Sequence, residues 1–192
     1  MAEQSDNRTQ YFTNQFLIAM PGLQDPNFKG SVIYVCEHNA QGAMGVVVNH
    51  PLAIPASRIF ESMDLSAPEG LANAQLLLGG PMHRERGLIL HRPTERQWDS
   101  TIHIDPEVLI TASKDILVDM AAGSGPEEAL IVLGYAGWGP GQLEQEVAAN
   151  AWLTVPGNPD IIFSTPYEER AHAALESIGI APHQLAIQAG HA

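Results

Sequence analysis

Residues 129–153 read ALIVLGYAGWGPGQLEQEVAANAWL. An apolar run is followed by four glycines within eight residues, Gly134, Gly137, Gly139 and Gly141, and then by a helix-like segment. Strand, glycine loop and helix start together make the usual cradle for a phosphate, because glycines let the backbone approach a ligand and helix-start amides point at it. The chemistry around this loop does not fit that use. No Lys-Ser or Lys-Thr follows, the spacing is not G-x-G-x-x-G, and Glu144 and Glu146 already place carboxylates where the helix dipole is positive. The stretch therefore reads as a buried strand, a tight turn opened by Gly139 or Pro140, and a short helix. Trp138 is either a packed lid over a sheet or one wall of a ligand pocket.

Outward from this stretch, short apolar runs recur: FLIAM, SVIYVCEH, AMGVVVNH, QLLLGG, GLILH, TIHID, VLITAS, AWLTV and DIIFST. Each is bounded by Gly, Pro, Asn or Asp and reads as a strand. Helical signals are fewer. SKDILVDMAAG has Ser113 as a cap and Gly123 as a stop; TPYEERAHAALESIGI has Thr165 as N-cap, Pro166 at the first position, Glu168 three residues after the cap and Gly179 at its end. SRIFESM reads as a shorter helix. Strands come in twos and threes before each helix, which predicts an α+β domain with a mixed, curved β-sheet flanked by helices rather than alternating βα units. The polar segment 1–14 precedes one domain over 15–192, in which residues 62–75 form a surface excursion.

Composition limits the partners. A chain of 192 residues that is 45% hydrophobic can bury a core, and it holds no apolar span of membrane-crossing length. The polar start MAEQSDNRTQYFTNQ lacks a secretory signal pattern, so a cytoplasmic location is expected. The single cysteine, Cys36, excludes an internal disulfide and a cysteine-rich metal cluster. With 22 acidic against 9 basic side chains the formal net charge is −13, which disfavours direct nucleic-acid binding and anionic membranes. Arg84, Arg86, Arg92 and Arg96 nevertheless fall within thirteen positions, beside His83 and His91. LLLGGPMHRERGLILH, broken by Gly79, Gly80 and Pro81 and resumed at Gly87, predicts a hairpin with Arg84 and Arg86 at its tip: a plain solvated turn, or a binding loop.

The other chemical candidate is VIYVCEHNAQGAMG. In a regular strand Cys36 and His38 share a face while Glu37 points away, so a thiolate–imidazole pair for nucleophilic or redox chemistry is one reading and an inert core cysteine the other. His103 and Asp105 in TIHID show similar spacing, but no third ligand can be assigned and no metal or cofactor is expected. G-x-S-x-G and HExxH motifs are absent from the sequence.

Three blocks in order, FLIAMPGLQDPNFKGSVIYVCEHNAQGAMGVVVNHP, LLLGGPMHRERGLILH and LGYAGWGPGQLEQEVAANAWL, with the closing GHA, resemble the AlgH/YqgE family of bacterial proteins (UPF0301, DUF179) from about Phe16 to the carboxyl end. The resemblance implies a single α+β domain in a cytoplasmic protein without an established activity; one branch carries the name of a transcriptional regulator of alginate production. Its motif positions here are Glu37, His38, Gly42, Gly45 and Asn49, then Gly79, Gly80, Pro81 and Gly87, then Gly134, Tyr135, Gly137, Trp138, Gly141, Gln142, Leu143 and Glu144. His50 departs from the arginine that often follows the asparagine, and Arg170 and His172 stand in a region that often holds an aromatic residue. The preferred reading is a non-enzymatic regulatory or binding module, recognising another protein or a small anionic ligand through its glycine-rich loops and the Arg84/Arg86 segment. The alternative is a cryptic enzyme or thiol sensor using Cys36 and His38, with Glu144 as acid or base.

Overall fold

The computed structural model describes residues 10–188. Its elements are β1 (Gln15–Ala19), β2 (Val32–Asn39), β3 (Gly42–Val47), β4 (Pro51–Pro55), α1 (Ser57–Glu61), β5 (Gln75–Leu78), β6 (Met82–His91), β7 (Thr101–Asp105), β8 (Val108–Thr111), α2 (Asp115–Ala121), β9 (Ala129–Trp138), α3 (Gln142–Ala148), β10 (Trp152–Pro156), α4 (Pro159–Phe163), α5 (Arg170–Glu176) and α6 (Pro182–Gln188). The strands form one ten-stranded sheet in the order β10-β1-β2-β3-β9-β6-β8-β7, with β4 joined through β5 to β9. All pairings are antiparallel except β5 with β9, so the architecture is α+β on a mixed sheet.

Helices cover both faces. Alternate strand residues send Phe16, Tyr34, Leu90, Val132 and Ile110 to one face, where Ile161 and Ile162 of α4, Leu175 of α5 and Leu185 of α6 close over them. On the other face Leu143 of α3 packs with Ile33, Val35 and Val47, and Phe60 of α1 with Ile116 and Leu117 of α2 packs with Ile89 and Ile131. Period-two burial on a sheet covered on both sides explains why the strand runs read as nearly continuous apolar segments.

β9 holds the two halves together. Its first part pairs with β6 through Ala129–Leu133, and its last part pairs with β3 through Ala136–Trp138. β5 lies on the same edge as β3, end to end with it, and the Val47 amide donates to the Gly79 carbonyl at 2.7 Å. β5 and β6 thus flank β9 on opposite edges, and the predicted hairpin does not form. Residues 79–81 instead cross over β9 in direct backbone contact. A Cβ on Gly80 would sit 2.2 Å from the Tyr135 carbonyl carbon, and one on Gly134 would sit 2.6 Å from the Gly80 oxygen. Gly80 and Gly134 also have φ of +158° and +73°.

Three irregularities surround this crossing. Cys36 is an extra residue in β2, since Val35 pairs with Gly45 and Glu37 already with Met44. In β9 the face toward α4–α6 is taken by Leu130 and Val132 and then, past the left-handed Gly134, by Tyr135. In β6, residues 83–86 bulge out opposite Gly134 alone, because Met82 pairs with Tyr135 and Gly87 with Leu133. Bulges bend and twist a sheet. Here they curl it far enough for the Asn14 side-chain amide, just before β1, to donate to Asp105 of β7 at 2.9 Å.

Local readings differ in four places. DIIFST is helical, because the Asn158 side chain accepts from the Asp160 amide and Pro159 occupies the first position. Ser113 does not cap α2: its hydroxyl donates to the Asp99 carbonyl and lies against the Asp115 carboxylate, while Lys114 holds the cap position. Thr165 does not cap the next helix either; a 3-10 turn over Tyr167–Glu169 precedes α5. β4 and α6 have no counterpart among the segments read from sequence. Most of the polar segment 1–14 and the closing GHA lie outside the described residues; Phe12 is buried, and Asn14 also accepts from the Tyr34 hydroxyl.

Gly80→Ala combines a positive φ with a backbone collision and should cost about 3 kcal/mol or more in urea unfolding. Gly123→Ala, with φ +78° and nothing within 4 Å of a new Cβ, should cost only about 1 kcal/mol. Equal losses at the two positions would contradict the crossing.

Candidate functional site

The bulge at Cys36 decides the first candidate. Cys36 packs with Tyr34 and Val46 in the core under α4–α6, whereas His38 lies on the opposite face, stacked on Phe12 with ring centroids 5.4 Å apart. The expectation that the two share a face fails because one extra residue reverses the alternation. Cys36 is buried and its thiol donates to the Tyr34 carbonyl at 3.6 Å. Burial pushes that thiol far above the ordinary thiol range, and the nearby Glu37 carboxylate adds to the rise. The native fold thus shields the thiol that nucleophilic or redox chemistry would need exposed.

His38 does meet Glu144, with Nε2 3.2 Å from Oε1. The Phe12 amide donates to Nδ1 at 2.9 Å. Nε2 is close to Glu144 yet not aligned for a hydrogen bond, and it has no other partner among the described residues. Tyr11 covers the ring edge-on at 5.0 Å. An imidazole–carboxylate pair has the chemistry of an acid–base couple, but His38 is only 5% exposed and its face is occupied by Phe12. The pair fastens residues 11 and 12 to β2 and α3.

The glycine-loop residues are also bound into the fold. Gly134 and Gly137 lie inside β9, and α3 is a single seven-residue helix. Trp138 is buried, edge to face with Trp152 at 6.2 Å, and both indole N–H groups donate to Oε2 of Glu146, at 2.9 and 2.8 Å. Gln142 accepts from the Gly139 amide at 2.9 Å and donates to the other Glu146 oxygen at 3.0 Å. Glu146 therefore gathers the turn, α3 and β10. Asn49 is a brace as well, accepting from the Val32 amide and donating to the Gly30 carbonyl.

Three of the remaining candidates meet at a cleft of about 280 Å³ on the concave face of the curl, whereas Gly79, Gly80, Pro81 and Arg84 are not part of its lining. Glu37 from the first motif block, Arg86 from the second and Tyr135 from the third all line it. β2 and β7 are separated by four strands, about 24 Å in a flat sheet, yet both contribute to this small space. Its walls are Met44, Leu88, Ile102, Ile110, Ala112 and Tyr135, with Ser100 adding a hydroxyl. Arg84 and Arg86 are exposed on the bulge, and neither has an ion-pair partner among the described residues, whereas Arg58 and Arg96 each have one and Arg92 has three. His83, at φ +48°, stacks on Tyr135 at 5.7 Å and holds the bulge over β9. Sequence reasoning missed the walls of the cleft, which look like any core residues, and missed Glu146, whose signal is its place between two tryptophans. Among the described residues no group of three or more His, Cys, Asp or Glu side chains is gathered to hold a metal ion, and no helix is long and apolar enough to cross a membrane.

A one-domain α+β protein with a curled mixed sheet and a small charged cleft is the class that these features define. The chain belongs to the AlgH-like family (DUF179), whose model matches residues 16–183. It is 50% identical over 179 residues to a UPF0301 protein of Saccharophagus degradans, covering 93% of this chain and 88% of that one. It is 47% identical to a UPF0301 protein of Nitrosococcus oceani, covering 95% and 97%. The solution structure of the AlgH protein from Pseudomonas aeruginosa superposes with a TM-score of 0.78 at 43% identity over the full length of both chains. A crystal structure of a Corynebacterium diphtheriae protein shares the fold, with a TM-score of 0.71 at 18% identity over 94% and 92% of the two chains.

Cys36 should resist alkylation in the native protein even at pH 9 and react fully once urea unfolds the chain; stoichiometric native labelling within minutes would contradict the burial. Glu146→Ala should cost about 2–3 kcal/mol in urea unfolding, since two indole donors lose a charged acceptor, while Glu146→Gln keeps an acceptor and should cost about half as much.

Proposed function

We propose that the chain is a binding module of regulatory type, working by non-covalent recognition of an anionic group on a small ligand or a partner protein. The observation that carries this reading is the pair Arg84 and Arg86: exposed arginines without a carboxylate partner among the described residues, on a bulge held over β9 at the rim of a cleft that all three motif blocks line. In a protein of net charge −13, a cation left unpaired by so many carboxylates is a local attraction for an anion. Arginine suits the task because its planar fork binds a carboxylate or phosphate with two hydrogen bonds. The enclosed Cys36 and covered His38 support recognition over thiol or acid–base chemistry. A regulatory role would be exercised through another protein rather than by direct DNA contact, for which the charge is unfavourable.

The test is the doubly substituted Arg84→Ala/Arg86→Ala protein, immobilised beside the wild type and exposed to bacterial lysate at low and high salt. Capture of specific partners should fall about tenfold or more, and wild-type capture should weaken with salt. Thermal stability should change little, because both side chains are exposed and without an ion pair among the described residues. Undiminished capture by the double variant would rule the bulge out.

A further inference from the structure

We infer that the cleft selects a small zwitterion, an α-amino acid with an apolar side chain of leucine or phenylalanine size. The inference rests on the reading of Arg86 as an anion-capturing group and adds the ligand's class. Charge is the first ground. The cleft has one cation and one anion on its wall, Arg86 and Glu37, and these are not paired with each other. Glu37 has one oxygen engaged, with the Asn39 side-chain amide donating to Oε1 at 3.2 Å, and its other oxygen is without a partner among the described residues. A simple carboxylate ligand would satisfy Arg86 and bring a like charge toward Glu37; a simple amine would do the reverse. A zwitterion places its carboxylate on the guanidinium and its ammonium on the carboxylate, so neither wall charge loses water without compensation.

Size and polarity are the second ground. The volume of about 280 Å³ lies just under the range of about 300–1,000 Å³ typical of clefts for drug-sized molecules, so the occupant is small. The rest of the lining is mostly apolar and includes Met44, Leu88 and Ile110. Methionine is a flexible wall that follows branched or aromatic shapes alike. Ile102 and Met82, each 41% exposed, stand at its margin and beside Tyr135 respectively, where unburied apolar surface favours an occupant that covers it.

The third ground is how the site is built. Glu37 follows the bulged Cys36, Arg86 ends the bulge in β6, and Tyr135 follows the left-handed Gly134. The irregularities at Cys36 and Gly134 turn Glu37 and Tyr135 onto the face of Met44 and Leu88, where Arg86 already lies by ordinary alternation with Leu88 and Leu90. A sheet in regular register would send them to different sides.

The experiment is an NMR titration of the full isotope-labelled chain with L-leucine, 4-methylpentanoate, which lacks the amine, and 3-methylbutylamine, which lacks the carboxylate. L-Leucine should give saturable shifts at the amides of Met44, Leu88 and Tyr135, with each truncated analogue about tenfold weaker or worse. Glu37→Gln should erase the preference over 4-methylpentanoate, and Arg86→Gln should weaken both; the two residues are exposed, so the rest of each spectrum reports an intact fold. If 4-methylpentanoate binds the wild type as well as leucine does, zwitterion selection is overturned while anion capture by Arg86 stands. If leucine binds and Arg86→Gln changes nothing, both readings fall. If no amide of the cleft moves with leucine up to about 10 mM, below which even a weak specific site would fill, the amino-acid assignment is overturned and the lysate capture alone judges the arginines.

Discussion

Two stretches of backbone cross in van der Waals contact, and the rest of the molecule is arranged around that crossing. Gly79 and Gly80 pass over Gly134 and Tyr135 with no room for a side chain at any of the three glycines. Because the chain crosses β9 there, β5 and β6 end up on opposite edges of the same strand, and β3 continues the edge that β5 leaves. The sheet cannot stay flat through such a junction. It takes up the mismatch in the bulges at Cys36 and at residues 83–86, which lie on the strands around it. The curl, the cleft and the exposed arginines are all consequences of that accommodation.

This gives the glycine-rich signature a different meaning from the one its outline suggests. Loop glycines before a helix commonly let a phosphate approach; here two of the four lie inside a strand and serve the approach of another strand or its side chains. The carboxylates that argue against phosphate have structural work to do. Glu146 receives both indole donors, and Glu144 faces the buried His38. Elsewhere the charges are similarly committed: Arg92 joins Glu107, Glu128 and Asp160, tying the end of β6 to α4, and the buried Arg170 donates to the carbonyls of Val48 and Thr165. Burial lowers the Arg170 guanidinium to about 10, which leaves it charged at neutral pH. Glu37 and Arg86, which line the cleft, and Arg84 on the same bulge as Arg86 have no ion pair among the described residues.

The fold class was legible because apolar runs bounded by turn residues survive any detail of pairing. The three motif blocks were legible as sites of constraint, though the sequence does not say that the constraint is mostly steric. What stayed hidden depends on register. One extra residue at Cys36 moves His38 to the other face, and nothing local in VIYVCEH announces a bulge. DIIFST has strand-like residues but takes its state from Asn158 and Pro159 ahead of it. Arg84 and Arg86 look like a hairpin tip until β9 is seen between the two flanking strands, a relation between segments some fifty residues apart. Of the cleft, the charged rim and Tyr135 were visible as candidates and the rest of the apolar wall was not, since Leu88 and Ile110 are themselves buried core residues.

The central claim is that this crossing curls the sheet until β2 and β7 face one cleft. Spin labels on cysteines introduced at Glu37 and Ile102, with the enclosed Cys36 left unlabelled, measure it directly in frozen solution. Strong dipolar broadening beyond the sum of the two single-label spectra is the predicted result. Spectra that simply add, as strands about 24 Å apart in an open sheet would give, contradict the account.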